Sequence, residues 1–255
     1  MDRNKAAYKL KEFGPLYIIN LDDQPERWQF MEDQLKYWQV ENYERISAFD
    51  GRGDNDLAEI LVDGYPNAVS SGEIGCVTSH LKAIKHWYDT TDAEYGIFME
   101  DDCDFVSVSC WPFSWREFMA RVPYDWDCLQ IAVINPRKLV ANIHPRYVDD
   151  YSTACFVINR RYAEKLMHFH CRGDKFKLDN GVRPRAVADD LIYNAGKTYA
   201  IPLLLYKLEL GSSIHPEHVD VFHKSSRQGL DHWWHNCATD MPIDKFFQYD
   251  THELN

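Results

Sequence analysis

An α/β fold is the class this sequence predicts, on three observations. Short apolar runs of strand length alternate with stretches whose apolar residues recur every three or four positions. One of those runs, Gly96–Met99, opens directly into a tight group of carboxylates, and open α/β sheets hold their ligands at the carboxyl ends of strands. No internal repeat, low-complexity tract or Gly/Ser linker divides the 255 residues, a length that buries a substantial core.

The elements follow in order. Leu16–Ile19 (LYII) reads as a buried first strand. Asp23-Gln24-Pro25-Glu26 reads as a helix start, with an acidic cap, an early proline and a glutamate three residues after the cap. Trp28, Met31, Leu35 and Trp38 give that helix an apolar face. A second helix begins near Ser70-Ser71-Gly72-Glu73, with Ile74, Val77, Leu81, Ile84 and Tyr88 as its core stripe. Gly96–Met99 (GIFM), Trp126–Val133 and Thr153–Ile158 are strands; Arg161–Phe169 and Val187–Ala195 are helices, the second capped by Gly196. Ile201–Leu205 is a late strand that Pro202 assigns to an edge or a strand start. Beyond Gly211 the periodicity fades, and a tail rich in His, Trp and Asp is expected to wrap the surface.

Composition narrows the function. With 28 Lys+Arg against 40 Asp+Glu, the net charge is −12, which disfavours broad nucleic-acid binding and docking on anionic membranes. No run reaches the roughly 18 apolar residues that span a bilayer, and the first residues lack the apolar stretch of a secretory signal, so a cytoplasmic location is expected. Seven cysteines without a CxxC pair argue against zinc ribbons and a dense disulfide framework.

The sharpest chemical feature is FMEDDCDF, Phe98 to Phe105, where Glu100, Asp101, Asp102 and Asp104 follow an apolar strand. Packed carboxylates repel unless a cation or protons relieve them, and hard oxygen ligands at a strand end suit Mg²⁺ or Mn²⁺ held together with substrate phosphates. Glu73, Cys76 and His80 share one face of the second helix; Glu73 reads equally as a cap, and His80 as a ligand contact or a satisfied buried group. Asp189-Asp190 reads as a helix-start pair or as a general base. Six of the eleven histidines, His215 and His223 among them, fall in the tail without zinc-motif spacing.

Several of these segments together resemble glycosyltransferase family 25, which includes lipooligosaccharide and procollagen galactosyltransferases. YIINLDDQPERW (Tyr17–Trp28) is similar to the family's "INL…R" signature, SAFDGR (Ser47–Arg52) to its "A-x-D-G" element, and SSGEIGCVTSHLKAIKHW (Ser70–Trp87) to its "GEIGC-x-x-SH" block. GIFMEDDCDF (Gly96–Phe105) resembles its "EDD" strand end, and STACFVINRRYAEKLM and VADDLIY resemble its later blocks. The resemblance implies a GT-A type fold, a nucleotide-binding α/β sandwich with a mixed central sheet flanked by helices. The domain spans residues 15–210, and residues 211–255 form a tail wrapping it. The resemblance further implies transfer of a hexose, galactose or glucose, from a UDP-sugar to an acceptor hydroxyl with inversion, assisted by Mn²⁺ or Mg²⁺. The acceptor would be a glycan, a lipid-linked glycan or a protein, with lipopolysaccharide biosynthesis as the setting. It places Asp102 as first metal ligand, Asp104 as the alternative second, and Asp101 against the ribose or the metal's water shell. Asn20 and Leu21 would border the uracil or ribose, and Arg27 would pair with Asp50 or face the nucleotide. Gly72 would allow close backbone approach, with Glu73 and His80 lining the donor pocket. Asp190 or Asp189 would be the base, and His215 or His223 would close the metal shell. Two other readings share these carboxylates: a nucleotide-sugar-binding homologue without turnover, and a metal-dependent phosphohydrolase.

Overall fold

The computed structural model describes residues 7–53, 55–62, 69–178, 187–212, 214–248 and 253–254. Strand β1 (Leu16–Asn20) is buried along its whole length, and its side chains alternate between two cores. Leu16 and Ile18 enter one core and Tyr17 and Ile19 the other. Helix α1 (Pro25–Trp38) returns the chain to β2 (Tyr43–Ser47), which pairs parallel with β1. Helix α2 (Ser71–Thr90) leads to β3 (Tyr95–Glu100), parallel to β1 on its other side. Both crossovers therefore deliver the carboxyl ends of β1, β2 and β3 to one rim of the sheet.

The remaining strands are β4 (Cys103–Asp104), β5 (Cys128–Ala132), β6 (Leu139–Val140), β7 (His144–Pro145), β8 (Cys155–Asn159), β9 (Cys171–Arg172), β10 (Lys175–Phe176), β11 (Thr198–Tyr206) and β12 (Glu253–Leu254). The central sheet has the order β2-β1-β3-β8-β5-β11-β4, with β7 also on β11. It is mixed: β8 runs antiparallel to both neighbours, β3 and β5, while β5 and β11 are parallel. Helices α3 (Trp115–Met119), α4 (Arg160–His170), α5 (Ala188–Tyr193) and α6 (Lys224–Asn236) complete the layers. Helices on both faces explain why the strands read as continuous apolar runs. No helix of the described residues is long and apolar enough to cross a membrane.

Four expectations are corrected. Asp23 does not cap α1. Gln24 occupies that position without a side-chain cap, and Asp23 pairs with Arg52 at 2.6 Å instead. The stripe of α2 ends on fully buried Trp87, one residue before the expected Tyr88. Pro202 lies inside the sheet, in β11 between β5 and β4. The β5 register shifts between Ala200 and Leu204, and that irregularity accommodates a residue without an N–H. Gly196 does not serve as the α5 cap; that place falls to Asn194, and a Cβ at Gly196 would lie 2.5 Å from the Tyr162 ring. The tail also does more than wrap the surface. Leu230, Trp234 and Phe246 are fully buried in the same core as β1, and the Trp234 indole N–H donates to Pro202 O at 2.9 Å.

Candidate active site

Two clefts meet at the carboxyl rim, and Glu100 lines both. The first is framed by β1, the loop after β2 and the start of α2. Asn20, Leu21, Arg27, Asp50, Gly72, His80 and Asp101 line it, and so do Gly51, Arg52 and Cys76. Its shape depends on a close backbone approach. A Cβ at Gly51 would lie 1.9 Å from Ser71 O, and one at Gly75 would lie 2.7 Å from Phe49 O. The close approach expected at Gly72 thus belongs to Gly51 and Gly75; at Gly72 an added Cβ would come no nearer than 3.6 Å to the Ile214 side chain, an ordinary contact. Ser79 fixes the same junction, accepting from Phe49 N–H at 2.8 Å and donating to Gly75 O. Glu73 caps α2. Ser70 and Glu73 form a capping box, and His215 Nε2 lies 3.4 Å from the Glu73 carboxylate.

Asp101, Asn20 and Arg27 of this cleft are closely paired, whereas His80 Nδ1 has no hydrogen-bond partner among the described residues. Asp101 accepts from the Asn20 amide at 2.7 Å and from Arg27 Nε at 2.7 Å. Arg27 also reaches Asp102 at 3.0 Å and donates to Leu210 O at 3.0 Å, which ties the cleft to the chain after β11. Asn20 Oδ1 in turn accepts from Arg45 at 2.8 Å. Arg27 therefore does not pair with Asp50, whose carboxylate is held by Arg52 at 2.8 Å. Buried at the start of α1, Arg27 compensates two carboxylates at once.

The second cleft lies between β3, β8 and the chain after β11, and is lined by Glu100, Asp102, Ser152, Tyr206, Lys207, Gly211 and His223. Here satisfaction is incomplete. Asp102 Oδ1 is buried and has no hydrogen-bond partner among the described residues. Burial pushes the Asp102 pKa up to about 7; Glu100 and Asp101 add to the rise and Arg27 opposes it. Glu100 accepts from Thr153 Oγ1 at 2.7 Å and sits 3.1 Å from His80 Nε2. Burial works to raise its pKa, yet His80, Thr153 and Arg27 together hold it below the usual value.

Asp189 stands beside this group. Its Oδ1 is likewise buried without a hydrogen-bond partner among the described residues, and Arg146 Nη2 lies 3.8 Å away. Burial raises the Asp189 pKa to about 6, with Arg146 opposing and Glu100 reinforcing the shift. Arg146 is itself pinned, donating to Gln130 at 3.0 Å and lying 4.7 Å over the Tyr193 ring. Neighbouring Asp190 accepts from Asn194 at 3.2 Å. Of the expected pair, Asp189 has the environment of a base.

Asp104 does not face Asp102's cleft. Arg227 holds it at 3.1 Å, and it accepts from Val106 N–H at 2.9 Å, both consequences of its β4 pairing with β11. His223 lines the second cleft, with burial lowering its pKa, whereas His215 lies over Glu73. The motif analysis missed Thr153, Ser152 and Arg146. Ser152 at φ 93° carries the strained backbone common at functional sites, but no sequence pattern marks it.

The fold is a mixed α/β sheet with a carboxylate-lined cleft at its parallel strand ends. Residues 13–109, which hold β1 to β4 and almost the whole first cleft, match the sequence model of glycosyltransferase family 25 (LPS biosynthesis protein). The matched span is under half of the chain, and the match supports a glycosyltransferase role, with a sugar donor and an acceptor. Asp189, His215 and His223 lie outside the matched span. No curated protein matches the chain significantly.

Proposed function

We propose that the protein is a GT-A type hexosyltransferase that moves galactose or glucose from a UDP-sugar to an acceptor hydroxyl with inversion, aided by Mn²⁺ or Mg²⁺. The observation that carries this reading is Asp102: a half-buried carboxylate just after a parallel strand end, with one buried oxygen that has no hydrogen-bond partner among the described residues and a pKa raised to about 7. Such a group takes either a proton or a cation. Asp102, with Glu100 and His223 on the same cleft, would hold the divalent ion. When bound, that ion supplies charge neutralisation for the leaving nucleoside diphosphate.

The chain's own residues divide the other work. Asn20, Leu21, Asp50 and Arg52 border the nucleoside end of the donor, and Gly51 and Gly75 keep the backbone close enough to shape it. Arg27 holds Asp101 and Asp102 in fixed orientation. Asp189, buried and charged at neutral pH, accepts the proton of the acceptor hydroxyl as that oxygen attacks the anomeric carbon. Direct attack of this kind inverts the anomeric centre. Acceptor preference falls on a glycan or lipid-linked glycan, in line with the family description.

The test is UDP release from UDP-galactose and UDP-glucose with an oligosaccharide acceptor, with Mn²⁺ and after chelation. Acceptor-dependent UDP release that disappears on chelation is expected. Full turnover in chelated protein removes the metal, and release of inorganic phosphate or UMP in place of UDP removes the transfer chemistry.

A further inference from the structure

The face of α2 toward the first cleft carries two donors that the transfer reading does not use, Cys76 and His80, and they meet one that it does, Glu100. Cys76 and His80, at i and i+4, project from one face of the helix, and Glu100 meets them from the end of β3. A sulfur, a nitrogen and an oxygen from these three residues all lie within 4.8 Å of one another. His80 is 1% exposed, and its Nδ1 is buried without a hydrogen-bond partner among the described residues. An unpaired ring nitrogen costs free energy that an incoming electrophile recovers. His80 Nε2 lies within hydrogen-bond reach of Glu100 Oε1, at 3.1 Å, so the unpartnered Nδ1 is the ring nitrogen open to an ion.

We propose that Cys76, His80 and Glu100 form a site for a borderline-soft divalent ion, Zn²⁺ by preference, distinct from the hard-cation position at Asp102. The ligand set separates the two. Thiolate and imidazole select zinc over magnesium or manganese, and carboxylates with substrate phosphates select the reverse. Binding exchanges the Cys76 thiol proton for the metal: the S–H proton leaves to solvent and a sulfur–metal bond forms. Because all three ligands line the first cleft, an ion there occupies donor space and draws Glu100 away from the Asp102 side. Only this inhibitory consequence rests on the proposed transfer function; the binding does not.

The experiment is titration of the full chain with Co²⁺ as a spectroscopic probe for Zn²⁺, followed by the near-ultraviolet thiolate-to-cobalt charge-transfer band. The expected result is a band that saturates at one equivalent and is displaced by Zn²⁺. It should be absent in Cys76→Ser, weakened at least tenfold in apparent affinity in His80→Gln, and unchanged in Asp102→Asn. Circular dichroism and thermal melting establish that each variant is folded; should Cys76→Ser not fold, His80→Gln and Glu100→Gln decide. No band in the wild type, or a band that survives in Cys76→Ser or in both alternative variants, overturns the site. Loss of the band in folded Asp102→Asn overturns its separation from the hard-cation position. Inactivity of the wild type in UDP release with an intact cobalt band would fall on the transfer reading alone.

Discussion

The two clefts at the sheet rim are built on opposite electrostatic plans. In the first, the polar side chains Asp101, Asn20, Arg27 and Arg45 satisfy one another in a closed chain. At the second, Asp102 and the neighbouring Asp189 each keep a buried oxygen without a hydrogen bond among the described residues. A closed network rigidifies a surface against which a ligand is placed. An open one stores unfavourable desolvation that a cation or a transferred proton relieves. The first cleft thus reads as a mould and the second as the place of chemistry, and mutations should separate the two.

The largest effect is expected at the open cleft. Asp189→Asn removes the proton acceptor and should lower kcat by roughly 10²–10⁴-fold while leaving the donor KM within a few-fold. Asp190→Asn should stay near wild type. Steady-state kinetics on both variants settles which carboxylate is the base; equal losses would blur the distinction drawn here between the neighbours.

Next comes the closed network. Arg27→Met leaves Asp101 buried without its cation and should cost about 3–5 kcal/mol, read as a fall in the urea midpoint. If the chain is as stable as wild type, the first cleft is not the rigid half.

A pH effect distinguishes the clefts without mutation of the mould. The folded-state pKa values of Asp102 and Asp189 are raised to about 7 and about 6. The folded protein therefore holds more protons than the unfolded chain between roughly pH 4 and 7, and stability falls as pH rises through that window. The melting temperature of chelated protein should drop from pH 5 to pH 8, and Asp102→Asn should flatten the slope. Transfer should rise with pH through about 6 as Asp189 ionises.

The smallest effect is at the α2 capping box, where Ser70→Ala should cost about 1 kcal/mol in stability. Because neither Ser70 nor Glu73 lines the mould, kcat should change little.

The same contrast explains what was legible in the sequence. Leu16–Ile19, Gly96–Met99 and the α2 stripe carry strong period-2 or period-3.6 signals. They delivered the first cleft nearly complete, because its residues sit at the ends of those elements. Arg27's true partners were not legible. Its pairing with Asp101 and Asp102, not Asp50, depends on how β1 and β3 lie side by side, a long-range register. Asp104 looked like a ligand from its spacing in Asp102-Cys103-Asp104, but the β4–β11 pairing carries it to Arg227. Helix α6 was missed because polar residues dilute its apolar face, though Leu230 and Trp234 are fully buried. Asp189 could be singled out from Asp190 only once burial was known.

The central claim is that Asp102 is a carboxylate awaiting a cation. Mn²⁺ binding to the wild type and to folded Asp102→Asn, measured by isothermal titration calorimetry from pH 6 to pH 8, tests it directly. The account predicts wild-type affinity that increases through about pH 7 as the proton is displaced, and at least a hundredfold weaker binding by Asp102→Asn. Equal Mn²⁺ affinity in the two proteins would contradict it.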